Sequence, residues 1–348
     1  MMNAMERVVG TLKRTGTDRT PVYPILAGIT RKLVGATYEQ WSTNADICAE
    51  AFYKSVKEFD LDTVVTLIDL SVECDAWGQK IVFPEQDAAH PDYNQSVIQD
   101  IDGYTNIKKV DYTTSKRMMM HIDVCRQLVE KSQGEFPVVA FVFGPLGVLS
   151  MLRNQQEMYM DIYDDPETVF EAAKQINETL KDYINAIMDT GVSAIMFDTL
   201  FASGSIMSKQ MWVEMEGGLI KELADICHQR GCLVMIHNCG EKVYFDVQIE
   251  AANPCAISFL HVPDDCKDFA ECKQKYGDKI TLIGCVPPPM AVLNTDEEWV
   301  EKCKEQIDIF GKGDGYMLAT GCEYPSNADF SKAKLMVEVA KTYHPYHD

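Results

Sequence analysis

The sequence predicts a (β/α)₈ TIM barrel, with eight parallel strands alternating with helices in one domain over residues 1–348. Eight short apolar runs rich in Val, Ile and Phe support this fold, because strands covered on both faces have continuous apolar sequence. Segments with helical periodicity separate most of these runs. The predicted strands are residues 22–27, 63–68, 137–143, 193–197, 232–236, 256–260, 280–283 and 316–319.

The segments between the strands have the spacing of apolar residues that is typical of amphipathic helices. The predicted helices are residues 46–58, 114–133, 165–189, 208–230, 266–276 and 296–310. The sequence contains no repeat of fixed period and no linker that would separate two domains. The longest irregular stretch, residues 83–95, is expected to form a loop over one end of the barrel.

Composition and charge exclude several classes of function. The chain is 46% hydrophobic and 24% charged, as globular proteins are, and its net charge of −21 repels polyphosphate backbones. Its densest basic cluster is interpreted as a solvated helix face and consists of Lys108, Lys109, Lys116 and Arg117. The start has no apolar stretch typical of a signal peptide. We therefore expect a cytoplasmic protein with no nucleic-acid or membrane partner, whose 12 cysteines are reduced thiols.

Several residues with chemically reactive side chains follow the predicted strands directly. In a barrel of this kind, the segments after the strands form the functional face. Five such positions carry His or Cys, although the chain has only seven histidines. The residues at these strand ends are Gly28, Asp69 with Glu73, Gly144, Asp198, His237 with Cys239, His261, Cys285 and Cys322.

His237 and Cys239 form the strongest candidate for a metal site. They are separated by one residue at the end of an apolar run, so their side chains point to the same side in extended backbone. Zinc needs a third protein ligand, and the candidates at other strand ends are Cys322, Cys285, His261 and Asp198. The alternative is that the cysteines are buried small apolar residues, as free cysteines in proteins often are.

Asp198 has three interpretations at this stage. It could act as a general acid or base, it could orient His237, or it could cap the following turn. By contrast, His121 follows three methionines in a helical pattern, which favours a place in the packed core over a binding pocket.

The motifs together resemble the uroporphyrinogen decarboxylase superfamily, and within it the zinc-dependent methylcobamide:coenzyme M methyltransferases. The resemblance runs from "DRTPVYPILAG" to "LATGCEYP" through "DLSVECDAWG", "GPLGVLSMLR", "GVSAIMFDTLFAS", "HNCG" and "LIGCVPPP". The decarboxylases carry an R-Q-A-G-R motif near the first strand, where this chain has Ile25 and Ile29 in place of the arginines. Decarboxylation of a polyacidic tetrapyrrole is therefore not expected.

The resemblance also implies a ligand set. The methyltransferases have an H-x-C motif and a later cysteine as three ligands to one zinc ion, which here correspond to His237, Cys239 and Cys322. The residue after Cys322 is Glu323, where the relatives have glycine, and Cys285 replaces a usual asparagine. Whether Cys285 also binds zinc stays open. The predicted catalytic residues are Asp198 and Asp69, and the predicted cofactor-binding residues are Asp69, Gly144 and Gly284.

The resemblance implies a methyltransferase that moves a methyl group from a methylated corrinoid (cobalamin) to a zinc-activated thiol such as coenzyme M. A corrinoid carrier protein is then the expected partner at the barrel mouth, and a homodimer is compatible with the resemblance. One alternative is transfer from a small-molecule O-, N- or S-methyl donor to a corrinoid protein. A second alternative is a non-catalytic protein that binds zinc or a corrinoid.

Overall fold

A computed structural model describes residues 2–85, 87–343 and 345–346, whose centre is a curled parallel sheet. Seven strands form this sheet in the order β1-β4-β5-β6-β7-β8-β9, and the short strands β2 and β3 pair antiparallel beside it. The strands are β1 Val64–Val65, β2 Ile81–Val82, β3 His90–Pro91, β4 Val138–Phe143, β5 Ala194–Asp198, β6 Leu233–Asn238, β7 Ala256–Phe259, β8 Thr281–Val286 and β9 Tyr316–Thr320.

Helices connect the strands of the sheet, as predicted for an α/β protein. They are α1 Ala4–Lys13, α2 Tyr38–Thr43, α3 Ala45–Phe59, α4 Lys116–Ser132, α5 Pro145–Arg153, α6 Gln155–Asp164, α7 Pro166–Met188, α8 Lys209–Trp212, α9 Gly218–Gln229, α10 Phe245–Ala252, α11 Phe269–Tyr276, α12 Met290–Leu293, α13 Asp296–Phe310 and α14 Ser331–Thr342. A π-helical turn, Val213–Gly217, joins α8 to α9. Within the described ranges, no helix combines the length and the apolar character needed to cross a membrane.

The predicted strand at residues 22–27 is the main departure from the expected barrel. This segment lies between β9 and β1, with a hydrogen bond of 2.8 Å from the Tyr23 backbone N–H to Leu318 O. On its other side, the Asp62 N–H donates to Val22 O at 3.1 Å. It forms isolated bridges instead of a regular strand, because Pro24 has no N–H to donate within it. Among the described residues, the regular sheet therefore has seven strands instead of the eight predicted.

The sheet is buried on both faces, which explains its continuous apolar sequence. In β4, Val139 and Phe141 point into the inner layer enclosed by the curl, whereas Val138, Ala140 and Val142 point to the outer layer beneath the helices. All six β4 residues are buried. Because successive side chains of a strand point to opposite faces, each strand contributes side chains to both core layers.

The register of the strands brings particular residues together at their carboxyl ends. Phe143 pairs with Asp198, Asp198 with His237, and His237 with Ser258 across β4, β5, β6 and β7. This row crosses the sheet at the edge where active sites occur in barrels of this type. The fold therefore places His237 in the middle of the functional edge.

Candidate metal centre

Three predicted ligands lie together at the carboxyl ends of β6 and β9. His237 is the fifth residue of β6, Cys239 follows the end of that strand, and Cys322 follows β9. One imidazole nitrogen and two sulfur atoms lie within 4.8 Å of one another. Because parallel strands end at the same edge, residues distant in sequence form a single group of donors.

The imidazole of His237 is held by a residue of the neighbouring strand. Its Nδ1 lies 3.0 Å from the hydroxyl oxygen of Ser258, and the side chain is buried. When Nδ1 donates to Ser258, Nε2 has a lone pair available for a metal ion. Such a hydrogen bond fixes the tautomer and ring orientation that metal-binding histidines need.

The two cysteines interact so that their pKa values shift in opposite directions. The Cys239 thiol donates to Cys322, which holds the pKa of Cys322 well below its usual value. The same interaction raises the pKa of Cys239. Burial lowers the pKa of His237, but the hydrogen bond and charge of Cys322 outweigh it, and the net shift is upward. Two cysteine sulfur atoms and one imidazole nitrogen are donor types that fit Zn²⁺ with a fourth position left open.

Asp198 lies beside this group on β5, opposite His237 in the strand register. Its carboxylate accepts a hydrogen bond of 3.1 Å from the backbone N–H of Leu200. Burial raises the pKa of Asp198 to about 7, and the negative charge of Cys322 contributes to the increase.

Asp69 is held by other protein groups. The Arg117 guanidinium forms a buried ion pair with its carboxylate, and both the N–H and the hydroxyl of Ser71 donate to Oδ1, at 2.9 and 2.6 Å. Arg117 is 5% exposed, so its interpretation as part of a solvated basic face is wrong. Asp69 stays a predicted corrinoid-binding residue whose charge is already compensated.

The two predicted cofactor-binding glycines lie where other backbone atoms approach closely. A Cβ on Gly144 would lie 2.8 Å from the carbonyl oxygen of Asp198. At Gly284, φ is 137° and a Cβ would lie 2.3 Å from the carbonyl oxygen of Phe259. Both positions therefore require glycine for packing, and a role in cofactor binding stays a prediction.

Cys285 lies apart from the candidate metal centre. Its side chain is 1% exposed and belongs to the outer apolar layer, and its N–H donates to the Gln306 side chain of α13 at 3.3 Å. Within the described part of the chain, the group around His237 includes neither Cys285 nor His261. The alternative of a fourth thiolate from Cys285 is therefore wrong for this arrangement.

Sequence reasoning missed two polar residues near the site. Ser258 is a lone hydroxyl in the apolar run of β7, which is a signal that could have identified it. Glu216 lies in the π-helical turn and accepts hydrogen bonds from the Leu146 N–H at 3.0 Å and the Trp212 indole at 2.8 Å. Burial raises the pKa of Glu216 to about 7. Helical periodicity alone gives no sign of a π-helical turn or of this contact.

His121 is a core residue, as the methionine-rich pattern predicted. It is 2% exposed, and its Nε2 lies 2.6 Å from the hydroxyl of Thr66. Burial lowers the pKa of His121 to about 4, so the imidazole is neutral at physiological pH.

Known proteins with similar sequences include members of two functional groups. A uroporphyrinogen decarboxylase of Actinobacillus succinogenes is 24% identical over 370 residues, covering 97% of this chain and 98% of the relative. The methylcobamide:CoM methyltransferase MtaA of Methanosarcina barkeri is 22% identical over 343 residues, covering 97% of each protein. The solved structure of a methyltransferase from Methanosarcina mazei has the same fold, with a TM-score of 0.81 at 18% identity over 99% of both chains. The model of the uroporphyrinogen decarboxylase (URO-D) family matches residues 3–343, and the protein belongs to this family.

Proposed function

We propose that this protein is a zinc-dependent methyltransferase that transfers a methyl group from a methylated corrinoid to a thiol. The convergence of His237, Cys239 and Cys322 on one point carries this proposal. These are the donor types of catalytic zinc sites with an open position. The similarity to a methylcobamide:CoM methyltransferase supports the same assignment.

The three ligands would hold the zinc ion, with Ser258 fixing the ring of His237. Bound zinc favours the thiolate form of a coordinated thiol, which is the nucleophilic form. Two cysteine thiolates and a neutral imidazole would balance the charge of Zn²⁺. The ligand side chains are buried or half-buried, so the site would limit access of water.

In the proposed reaction, the substrate sulfur forms a bond to the methyl carbon as the bond between carbon and cobalt breaks. Cobalt keeps the electron pair of that bond and is reduced from cobalt(III) to cobalt(I). The thiol loses its proton, and we propose that Asp198 accepts it, since the pKa of this buried carboxylate is raised to about 7. A corrinoid carrier protein would dock at the barrel edge to present the methyl group, with Asp69 near its macrocycle.

Two other activities share this site or family. Transfer of a methyl group from a small donor to a corrinoid protein would run in the opposite direction and would use the same three zinc ligands. Decarboxylation is the activity of the Actinobacillus relative, but Ile25 and Ile29 are buried apolar residues here and supply no guanidinium group for carboxylates. We therefore favour methyl transfer over decarboxylation.

The test is an anaerobic assay of zinc-loaded protein with methylcobalamin and a thiol. Absorbance of cob(I)alamin and mass spectrometry of the methyl thioether would report the two products. We expect both products with the wild type and neither with Cys322→Ser, whereas Cys266→Ser, at a half-buried cysteine outside the metal centre, should keep activity. A zinc-loaded wild type that binds thiol and methylcobalamin without forming either product would contradict the proposal and support a binding protein.

A further inference from the structure

The amide side chain of Asn238, directly before Cys239 at the end of β6, is 0% exposed. Its Nδ2 donates hydrogen bonds to two backbone carbonyl oxygens of the segment after β5, to Thr199 O at 2.6 Å and to Ala202 O at 3.2 Å. Its Oδ1 accepts a hydrogen bond of 2.9 Å from the Gly240 N–H. Because an asparagine that accepts from the N–H two residues later closes a turn, the amide of Asn238 fixes the backbone around Cys239.

The segment after β5 that supplies these two carbonyl oxygens also pairs with the chain that follows the turn. The Gly204 N–H donates to Lys242 O at 3.1 Å, and the Tyr244 N–H donates to Ala202 O at 2.9 Å. An isolated antiparallel bridge lies between these two hydrogen bonds. The backbone around Cys239 is therefore held on one side by a second loop.

A second buried amide supports the first. Gln248 of α10 and Thr199 are both buried, and the Thr199 hydroxyl donates to Gln248 Oε1. The Nε2 of Gln248 donates to Tyr244 O at 2.8 Å, and the Thr199 N–H donates to His237 O at 3.1 Å. Hydrogen bonds therefore connect α10 and the end of β5 to the backbone on both sides of Asn238. Amides and hydroxyls do not titrate near neutral pH, so this network does not depend on the protonation of its side chains.

We propose that Asn238, Thr199 and Gln248 are positioning residues that hold Cys239 in the place from which it binds zinc. This inference rests on the proposed function, in which Cys239 is a zinc ligand. A ligand whose backbone the protein already fixes loses less conformational freedom when the metal binds, so its affinity for the metal is higher. The network acts on Cys239 through the backbone, whereas Ser258 acts on the ring of His237.

Asn238→Ala tests this proposal, and Asn177→Ala is its matched control. Asn177 of α7 is also a buried amide, which donates to Leu219 O at 3.3 Å, and it does not belong to the group of predicted ligands. We expect Asn238→Ala to weaken zinc binding about 10- to 100-fold in chelator competition, whereas Asn177→Ala should leave the zinc affinity unchanged. Urea denaturation would measure the stability that each variant loses with its buried amide, and zinc binding would be measured where both variants are folded.

Cobalt(II) in place of zinc gives a spectroscopic readout that does not depend on methyl transfer. Its absorption spectrum reports the coordination geometry and the bonds from thiolate sulfur to the metal. We expect Asn238→Ala to lose intensity in the sulfur-to-cobalt charge-transfer band, because Cys239 would no longer be held in place, whereas the spectrum of Asn177→Ala should match the wild type. Thr199→Val removes only the hydroxyl that supports Gln248, so it should weaken zinc binding by a smaller factor and decides the test if Asn238→Ala does not fold.

The outcomes distinguish this inference from the proposed function. If the folded Asn238 and Thr199 variants bind zinc and cobalt as the wild type does, the positioning role is overturned, although methyl transfer by the wild type would stand. An equal loss of zinc affinity in Asn177→Ala would also overturn it, because the effect would then follow from stability alone. If zinc affinity falls only in the Asn238 and Thr199 variants but the wild type transfers no methyl group, the positioning role stands and the methyltransferase proposal fails.

Discussion

Replacing single cysteines by serine tests which thiol binds zinc. The binding free energy of Zn²⁺ at structural sites with four ligands is about 10–16 kcal/mol, which corresponds to about 3 kcal/mol for each ligand. Loss of the Cys322 thiolate should therefore weaken zinc binding on the order of 100-fold. Cys285→Ser should keep the zinc, because its side chain lies in the outer apolar layer. This variant should instead lose about 1–3 kcal/mol of stability, since a buried serine hydroxyl there would lack a partner.

Elemental analysis of anaerobically purified proteins would give zinc per chain, and competition with a chromogenic chelator would give the affinities. Urea denaturation would measure the stability of Cys285→Ser at a fixed free zinc concentration. Loss of zinc from Cys285→Ser with retention in Cys322→Ser would refute the ligand set. Equal loss from both variants would indicate a closed site with four ligands, and no zinc in the wild type would remove the basis of the proposed chemistry.

Three further predictions concern the residues that support the site. Ser258→Ala should lower zinc affinity about 10- to 100-fold through the orientation of His237, measured by chelator competition, and an unchanged affinity would contradict this role. Asp69→Asn should destabilise the fold by about 3–5 kcal/mol in urea denaturation, because it leaves the buried Arg117 unpaired; an effect on methylcobalamin binding alone would instead indicate a ligand contact. Burial raises the pKa of Glu73 from 4.5 to about 8, so the native state holds a proton that the unfolded state loses, and stability should fall as pH rises from about 5 to 8. In Glu73→Gln, the free energy of unfolding from denaturation curves should depend less on pH across that range. An unchanged pH dependence would assign the loss of stability to other groups.

The proximity of the three predicted ligands was predictable because it depends on local geometry and on parallel topology. An i, i+2 pair at the end of an extended run has both side chains on one side whatever the rest of the fold does. Cys322 joins His237 and Cys239 because both segments leave the same edge of a parallel sheet. The similarity to the URO-D family is also confirmed over residues 3–343.

Helices that are buried on all sides were harder to predict from the sequence. In α5 nearly every residue is buried, so its sequence lacks the polar face that a helical pattern requires. The predicted helix 208–230 is divided by the π-helical turn that contains Glu216, which the apolar spacing does not reveal. The strand at residues 22–27 was predicted from its apolar character, although Pro24 removes a donor that a regular ladder needs.

The positions of Cys285 and Arg117 depend on tertiary structure that residue types do not encode. Strict alternation from Ile283, which points into the inner layer, would place Cys285 on the same side as the predicted metal ligands. The alternation is interrupted at Gly284, where φ is 137°, and Cys285 enters the outer layer instead. The sequence shows a glycine there but not its backbone angle. Arg117 likewise looks like a surface cation until the fold brings Asp69 against it, so charge alone could not distinguish a solvated arginine from a buried ion pair.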